Sequence, residues 1–366
     1  MKIALIGRYG EDDILSGPER VARELYLHLK NKVDVIFIEY FFSGYKDYSL
    51  FNKIFGKKIT DDNVLRLGII PLAIKLLKEQ FHLIHFVNSQ RFFLAIFFLK
   101  PLLRLKFIST FHGLNKTEIK NSKLKRTFLD LWVEKISVKK SECLIFPSKL
   151  LFNLFRKNYN LSEDNCRVIP NGISEAFHKY STLSLLRRGQ GEVKMGQKKI
   201  YNFVYFNSFN KGLRELLREI PETISFQFSI FVVGREEKIE NPNKNIEIHF
   251  IPLMNHASVL EFLSEKHFII KSSAFDSFSI FTAECMAMGI IPIISENTGI
   301  KDFVENNFNG FIFNSSEKGS LANLLIDIYN EKYDLSKISL NASKIYDKLN
   351  WENVSEQYIQ LYNSVE

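Results

Sequence analysis

The segment His267–Ile294, HFIIKSSAFDSFSIFTAECMAMGIIPII, decides the fold of this chain. Its apolar run at 267–270 is typical of a buried strand. The pattern then predicts a helix from about Ile280 to Met288, ended by Gly289, and a second strand from Ile290 to Ile294. Strand, polar loop, helix and strand in this order form a βαβ unit, and such units bind ligands at the carboxyl ends of their strands.

The loop and helix of this unit carry groups that suit a phosphorylated ligand. The backbone N–H groups of Phe278, Ser279 and Ile280 lie at the predicted helix start, where a phosphate can accept from them. Asp276 lies on the loop and Glu284 about one turn into the helix. We therefore expect both carboxylates to face the same ligand.

The composition describes a globular chain of two domains. Its 366 residues exceed one small domain, and 46% hydrophobic with 25% charged residues are ordinary globular values. The three cysteines (Cys143, Cys166 and Cys285) are scattered and form no CxxC motif, so we expect a reducing cytoplasm. The N-terminus is expected to be a first strand rather than a signal peptide, and the apolar stretch Phe92–Leu99 is too short to span a bilayer.

The net charge of +8 and the pI of about 9.1 favour a polyanionic partner. Nucleic acid, anionic lipid and nucleotide diphosphate are the three candidates. The sequence has no zinc-finger spacing, no RNP-type aromatic motif and no long basic tail, so nucleic acid ranks last. The glycines Gly7, Gly10 and Gly17 do not form a GxGxxG fingerprint, which argues against a bound NAD.

Strand-like and helix-like runs alternate through both halves of the chain, which predicts parallel sheets covered on both faces. The turn Pro170–Gly172 ends the first series, and a second series starts at Tyr201. We place a first domain at 1–174, a linker with a surface excursion at 175–200, a second domain at 201–348 and a C-terminal helix at 349–366.

The segment quoted above resembles the nucleotide-sugar site of the retaining glycosyltransferases of family 4, which have the GT-B fold. Asp276 stands where the family has a glutamate, and Ser277 and Ser279 stand where it has glycines. The family pattern is matched by Ser273, Phe278, Ile280, Glu284, Met286, Ala287, Gly289 and Pro292.

The first half of the chain is similar to the same family. Thr110–Gly113, TFHG, matches its Thr-x-His-Gly motif, and Val168–Ile173, VIPNGI, matches its linker entry. Ser16–Glu19 resembles its glycine loop, and Trp351 resembles the start of the helix that crosses back to the first domain. The resemblance implies two Rossmann-like, doubly wound domains facing a cleft, the first binding the acceptor and the second the nucleotide-sugar.

The resemblance also implies roles for individual residues. His112 and Asp276 are the expected catalytic residues, which hold the transferred sugar. No metal site and no cofactor are expected, because the nucleotide-sugar is a substrate and no Asp-x-Asp motif is present. The expected donor-binding residues are Gly17, Lys211, Pro252, Phe278, Ser279, Ile280 and Glu284. The family's phosphate-binding arginine is missing, since Asn207–Asn210 occupies its loop.

The segment 116–140 is basic and carries interleaved apolar residues, including Trp132. It is expected either to lie on an anionic membrane surface or to pack on the first domain with a solvated basic face. The first alternative would make the protein peripheral at the inner face of the cell membrane.

The most specific expectation is therefore a metal-independent hexosyltransferase of polysaccharide biosynthesis. It would move a sugar from a nucleotide-sugar to a glycan or lipid-linked acceptor with retention of anomeric configuration. The alternative is a non-catalytic, glycosyltransferase-like scaffold subunit, which the missing arginine and the changes at 276, 277 and 279 favour. A nucleotide-sugar epimerase on the same fold fits the motifs less well.

Overall fold

A computed structural model describes the chain apart from residues 11–16, 42–44, 61–62, 89–92, 104, 116–127, 182–199, 208–211, 221–223, 235, 237, 240, 242 and 366. The described residues divide into two compact units. The first unit contains residues 1–172 and the chain from Trp351 onward, and the second contains 173–350.

The first unit is built on an eight-stranded sheet of order β3-β4-β2-β1-β5-β6-β7-β8. Its strand pairs are parallel, apart from β3 with β4. The strands are β1 (Lys2–Gly7), β2 (Asp34–Glu39), β3 (Lys57–Ile59), β4 (Leu65–Leu67), β5 (Leu83–Phe86), β6 (Lys106–Thr110), β7 (Cys143–Phe146) and β8 (Cys166–Val168).

The helices of the first unit cover its sheet. One buried cluster joins Leu72 and Leu76 of α3 and Ile96 and Phe97 of α4 to the side chains of the central strands. The helices are α1 (Gly17–Leu29), α2 (Leu50–Phe55), α3 (Ile69–Lys78), α4 (Phe93–Leu103), α5 (Phe128–Lys140), α6 (Lys149–Tyr159) and, at the C-terminus, α14 (Trp351–Val365).

The C-terminal helix α14 is fixed to the first unit by buried polar and aromatic contacts. His85 of β5 is fully buried, and its ring nitrogens lie 2.7 Å from Tyr362 Oη and 2.8 Å from Thr110 Oγ1. At the other end of α14, Trp351 lies against Gly172, where any Cβ would come within 2.3 Å of the indole ring. Glycine at 172 is therefore required by this close approach.

An excursion between β2 and α3 was not foreseen from the sequence. It contains α2 and the antiparallel pair β3–β4, and a buried polar cluster holds it on the sheet. Arg66 of β4 donates to Glu39 Oε2 at 2.9 Å and to Asp47 at 3.0 Å, while Tyr45 also donates to Glu39. Arg66 and Glu39 are each only 1% exposed, so the pairing satisfies two charges that burial alone would penalise.

The second unit contains a six-stranded sheet of order β11-β10-β9-β12-β13-β14. Its strand pairs are all parallel, so the carboxyl ends of these strands lie along one edge. The strands are β9 (Tyr201–Asn207), β10 (Phe228–Gly234), β11 (Ile246–Ile251), β12 (Phe268–Lys271), β13 (Ile291–Ser295) and β14 (Phe311–Phe313).

The helix predicted after β12 is confirmed at nearly its predicted bounds. It ends where Gly289 adopts φ +75°, a left-handed conformation that glycine adopts without steric cost. The helices of this unit are α7 (175–181), α8 (Leu213–Glu219), α9 (His256–Leu263), α10 (Ile280–Ala287), α11 (Ser320–Tyr329), α12 (Leu335–Ser343) and α13 (Ile345–Leu349), with a 3-10 helix at Gly299–Phe303.

The division between the units differs slightly from the domain prediction. The chain passes from the first unit to the second after Gly172, and returns at Trp351 rather than at residue 349. The predicted linker 175–200 begins with α7, which packs into the second unit through Phe177 and through a ring stack of His178 on Tyr346. Residues 182–199 of that linker lie outside the described residues. Among the helices that the structure describes, none is long and apolar enough to cross a membrane.

Candidate functional site: the β12–α10 connection

The residues expected to bind a donor are concentrated where β12 meets α10, on the carboxyl edge of the second sheet. The loop between them is attached to the end of β13 by backbone hydrogen bonds. Asp276 N donates to Asn297 O at 3.1 Å, and Gly299 N donates to Asp276 O at 2.8 Å. The loop is therefore held in place before any ligand binds.

The Asp276 side chain is buried in an ion pair that the sequence analysis did not foresee. Its Oδ2 lies 3.1 Å from Nζ of Lys271, the last residue of β12, and the two side chains are 8% and 3% exposed. Its Oδ1 accepts from Phe278 N at 3.2 Å. The expectation that the Phe278 N–H is open to a phosphate is therefore wrong, because this N–H already binds Asp276.

Ser279 occupies the position before α10 with φ +70° and ψ +71°. This left-handed conformation costs a residue with a Cβ about 1 kcal/mol or more, whereas glycine adopts it freely. The glycine that the family pattern has here is thus explained by backbone geometry. Ser279 Oγ lies 2.8 Å from Thr282 Oγ1, which offsets part of the cost of the serine.

The first turn of α10 supplies the N–H groups that remain for an anion. Thr282 N and Ala283 N already donate to Ser279 O, at 3.1 and 3.2 Å. Because α10 begins at Ile280, the N–H groups that remain are those of Ile280 and Phe281. Glu284 lies one turn further along α10 and is 2% exposed. Ser273, in the loop before the helix, is 1% exposed, and its Oγ has no hydrogen-bond partner among the residues that the structure describes.

Two further donor-site residues belong to other loops of the same edge. Pro252 follows β11 directly and is exposed, but β10 and β9 separate its strand from β12. Lys211 lies outside the described residues. The residue after it, Gly212, precedes α8, and its carbonyl accepts from Ser272 Oγ at 3.2 Å, so the start of α8 adjoins the end of β12.

The other two predicted site residues, Gly17 and His112, lie in the first unit. Gly17 is the exposed first residue of α1, and Pro18 follows in the first turn as expected. His112 follows β6, and its Nε2 lies 2.9 Å from the carbonyl oxygen of Val87, just after β5. A ring nitrogen that meets a carbonyl must carry the proton, so in the neutral ring Nδ1 holds the free lone pair.

Burial keeps His112 neutral at physiological pH. It lowers the pKa of His112 to about 4, although the Val87 carbonyl acts in the opposite direction. Burial likewise lowers the pKa of His85 to about 3, and the nearby His112 adds to this effect. His112 can therefore present a neutral, oriented imidazole, which binds a hydroxyl rather than an anion.

Lys271 is the site residue that sequence reasoning missed. A signal was present, because a lysine ends an otherwise apolar run and an acid follows five residues later. The pattern of the run predicted a buried strand, and a buried lysine requires a paired charge. That argument identifies Asp276 as the nearest acid along the chain.

Solved structures share this fold over the whole chain. Sucrose-phosphate synthase from Thermosynechococcus elongatus has a TM-score of 0.75 at 17% identity, with 100% of this chain and 98% of that one covered. Anabaena Alr3699/HepE in complex with UDP and glucose has a TM-score of 0.71 at 14% identity, with both chains fully covered. At these identities the likeness shows the fold, which is GT-B.

Family models match both halves of the chain. Residues 15–177 match Glycosyltransferase Family 4, and residues 191–345 match Glycosyl transferases group 1. The chain belongs to the GT-B glycosyltransferases.

Two curated relatives of this glycosyltransferase are also similar in sequence. The Glycogen synthase of Thermodesulfovibrio yellowstonii is 32% identical over 83 residues, which is 22% of this chain and only 16% of that protein. The glycosyltransferase YqgM of Bacillus subtilis, described as uncharacterized, is 20% identical over 298 residues, or 78% of this chain and 79% of that one.

The left-handed conformation of Ser279 leads to a stability prediction for this glycosyltransferase. We expect Ser279→Gly to be more stable than Ser279→Ala by about 1 kcal/mol, because both variants lose the hydroxyl but only alanine keeps the Cβ. Ser277 has no positive φ, so there the glycine variant should be less stable than the alanine variant by about 0.5–1 kcal/mol. Urea unfolding followed by circular dichroism tests both pairs, and the same sign at both positions would contradict the explanation.

The fully buried His85 and the partly buried His112 predict a pH dependence of the first unit. Their native pKa values of about 3 and 4 lie below the unfolded value of about 6.5, so unfolding takes up protons between these limits. The contribution of the two neutral histidines to the free energy of unfolding is fully present above pH ~6.5. As the pH falls from there towards ~4, each imidazole lowers the free energy of unfolding by about 1.4 kcal/mol per pH unit. Both tryptophans, Trp132 and Trp351, lie in the first unit, so their fluorescence reports its unfolding alone.

We expect His112→Asn, whose amide can still donate to Val87, to reduce the dependence of the unfolding free energy on pH by the contribution of one imidazole, about 1.4 kcal/mol per pH unit. His249→Asn in the second unit is the control and should leave the tryptophan-monitored transition unchanged. An unaltered slope in His112→Asn would show that His112 is not held neutral in the native state.

Proposed function

We propose that the chain is a retaining, metal-independent hexosyltransferase that moves a sugar from a nucleotide-sugar to a glycan or lipid-linked acceptor. The observation that carries the proposal is the β12–α10 connection. It combines the N–H groups of Ile280 and Phe281 at the start of α10, the buried Glu284 and the Ser273 hydroxyl, which has no partner among the described residues, at the carboxyl edge of a parallel sheet. Binding of UDP and glucose by a protein of the same fold supports a nucleotide-sugar as the ligand.

In this proposal, charge on the departing diphosphate is stabilised at the start of α10. The partial positive charge of a helix N-terminus and its open N–H groups suit a developing anion. Lys211 adds a charge-assisted hydrogen bond, and Glu284 accepts from the ribose hydroxyls. Gly17 and Pro252 complete the expected donor set, Pro252 beside the nucleobase.

His112 has the role of a hydrogen-bonding group to the transferred sugar. Because its Nε2–H is committed to Val87, the neutral ring offers its Nδ1 lone pair to a sugar hydroxyl. Asp276 is proposed to accept from another hydroxyl of the same sugar. Its carboxylate also meets Lys271 and Phe278 N, and 8% of its side chain is exposed.

The acceptor and the location of the protein are proposed from charge and resemblance. A lipid-linked acceptor agrees with the net charge of +8 and with the basic segment 116–140, whose described part is α5. On this proposal the protein acts in polysaccharide biosynthesis in the cytoplasm, at the inner face of the cell membrane.

A second candidate function is favoured by the Lys271–Asp276 pair itself. An acid that neutralises a buried lysine contributes to the folded structure whether or not a sugar binds. A non-catalytic scaffold subunit would keep that pair and the fold while losing donor affinity. Direct measurement of donor binding separates the two candidates.

We predict that calorimetry detects binding of one nucleoside diphosphate, among UDP, GDP and ADP, and of its sugar conjugate. Glu284→Gln should weaken that binding about 10- to 100-fold, because a charged hydrogen-bond acceptor to the ribose is lost. Lys211→Ala should weaken it as well. Glu261→Gln is the matched control, since Glu261 is exposed on α9.

The affinity should be the same with EDTA present if the site uses no metal, and the product anomer read by NMR tests retention. Absence of binding to every nucleotide, in a protein with an undisturbed thermal transition, would contradict the enzyme and favour the scaffold.

The role of Asp276 requires a variant that leaves no buried charge behind. Asp276→Asn alone leaves Lys271 buried without its partner, which costs roughly 3–5 kcal/mol. We therefore predict the outcome for Lys271→Met combined with Asp276→Asn, with the wild type as the reference. Affinity of the double variant for the nucleotide-sugar should fall about tenfold or more, and affinity for the free nucleotide should stay within about twofold. Equal affinities of wild type and double variant for both ligands would leave Asp276 a purely structural role.

A further inference from the structure

One face of the first unit exposes many more large apolar side chains than the rest of the described chain. Among the described residues, 21 large hydrophobic side chains are exposed, and 14 of them lie between Tyr48 and Trp132. The span 48–132 makes up less than a quarter of the chain. The 14 residues are Tyr48, Leu50, Phe51, Phe55, Ile59, Ile69, Ile70, Ile74, Leu77, Phe98, Leu102, Phe128, Leu129 and Trp132.

These residues lie on neighbouring helices rather than at scattered positions. Helix α2 contacts α3, α3 contacts α4, and α4 contacts α5, so the four form a continuous row. On α3, Leu72 and Leu76 point into the core, while Ile70, Ile74 and Leu77 form the opposite stripe. We call the outward surface of α2, β3, α3, α4 and the first turns of α5 the apolar face.

Helix α4 shows the anomaly most directly. Its sequence, FLAIFFLKPLL, is apolar around its whole circumference, a composition normally found in helices that are buried on all sides. Ile96 and Phe97 are indeed buried, yet Phe98 is 68% and Leu102 70% exposed. A contiguous surface of this kind marks an interaction site in a folded protein.

The charges around the apolar face have one dominant sign. The segments α2, β3, α3 and α4 contain no aspartate or glutamate, whereas they contain the lysines Lys53, Lys57, Lys58, Lys75, Lys78 and Lys100. Lys58, Lys75 and Lys100 pair with Asp47, Glu79 and Glu142, which lie outside these segments. Lys53, Lys57 and Lys78 have no acid within α2, β3, α3 or α4, and the first turn of α5 contributes the acid Asp130.

A basic pocket adjoins the apolar face at the ends of α4 and α5. Its lining includes Lys100, Lys139 and Lys140, with Glu142 as the only acid among the lining residues that the structure describes. Apolar side chains that are bordered by lysines suit a surface with hydrocarbon inside and negative charge outside. Lysine stems can extend along such a surface and place their ammonium groups at its headgroups.

We propose that the apolar face binds the surface of an anionic phospholipid bilayer, with its aromatic and aliphatic side chains entering the headgroup–acyl boundary. Most of this surface lies on α2, α3 and α4, outside the basic segment 116–140, for which membrane contact is one of the two alternatives that the sequence leaves open. The proposal concerns a surface of the first unit, so it does not depend on donor binding at the β12–α10 connection of the second unit. It deepens the proposed function by assigning the first unit to the membrane that holds a lipid-linked acceptor.

The test is vesicle flotation of the full chain with two compositions, phosphatidylcholine alone and phosphatidylcholine with an equal part of phosphatidylglycerol. We expect binding to the anionic vesicles that weakens with added salt, and little binding to the neutral ones. The double variant Phe98→Gln with Leu102→Gln should lower the anionic-vesicle partition coefficient about tenfold or more, since two apolar side chains no longer enter the boundary.

The matched control is Phe308→Gln with Leu340→Gln, which removes an exposed phenylalanine and an exposed leucine from the second unit. It should partition as the wild type does, and both double variants should keep the wild-type thermal transition and nucleotide affinity. Three results would overturn the proposal: no vesicle binding, equal binding to both compositions, or equal loss in both double variants. A smaller sedimenting species for Phe98→Gln with Leu102→Gln in the absence of vesicles would instead identify a second copy of the chain as the occupant.

Discussion

The strands of the second sheet all run in the same direction, and this constraint decides where the unit can bind a ligand. Parallel strands bring their carboxyl ends to one edge, so loops that are far apart in sequence become neighbours there. The loop after β12 is held in place, because Asp276 bonds through its backbone to the residues that follow β13. A loop fixed in this way keeps the start of α10 in place and needs no ordering when an anion binds.

The same loop contains two departures from the family pattern that are physically connected. An aspartate at 276 has a shorter side chain than the family's glutamate, and in this chain it turns towards Lys271 at the end of β12. The pair is buried, so neither member can be replaced alone without leaving an uncompensated charge. Ser279 adds a left-handed residue next to the same turn. Strain and buried charge of this kind persist only where the surroundings hold them, and the attachment to β13 provides that support.

The sequence predicted the βαβ unit well because three independent signals agreed there. Apolar runs marked both strands, and Gly289 marked the end of the helix where the structure has φ +75°. The ion pair was missed because strand prediction rests on apolar content, and Lys271 lies just beyond the apolar run 267–270. The excursion with α2 and β3–β4 was missed for another reason. It is held by Arg66, Glu39 and Asp47, which are distant in sequence, and only three-dimensional placement shows that they meet.

The apolar composition of helix α4 does not by itself predict how much of the helix is buried. The length of the apolar stretch Phe92–Leu99 argued against a membrane span, and a helix of such apolar composition is normally buried on all sides. The structure buries one side of it and leaves Phe98 and Leu102 in contact with solvent. An exposed side chain of this size gains nothing from folding, so its apolar character is not explained by the stability of the unit. Helices α2 and α3 expose the same kind of side chain beside lysines and contain no acid. Stability of the isolated unit cannot select such a surface, and the lipid boundary that we propose would match both its apolar centre and the lysines around it.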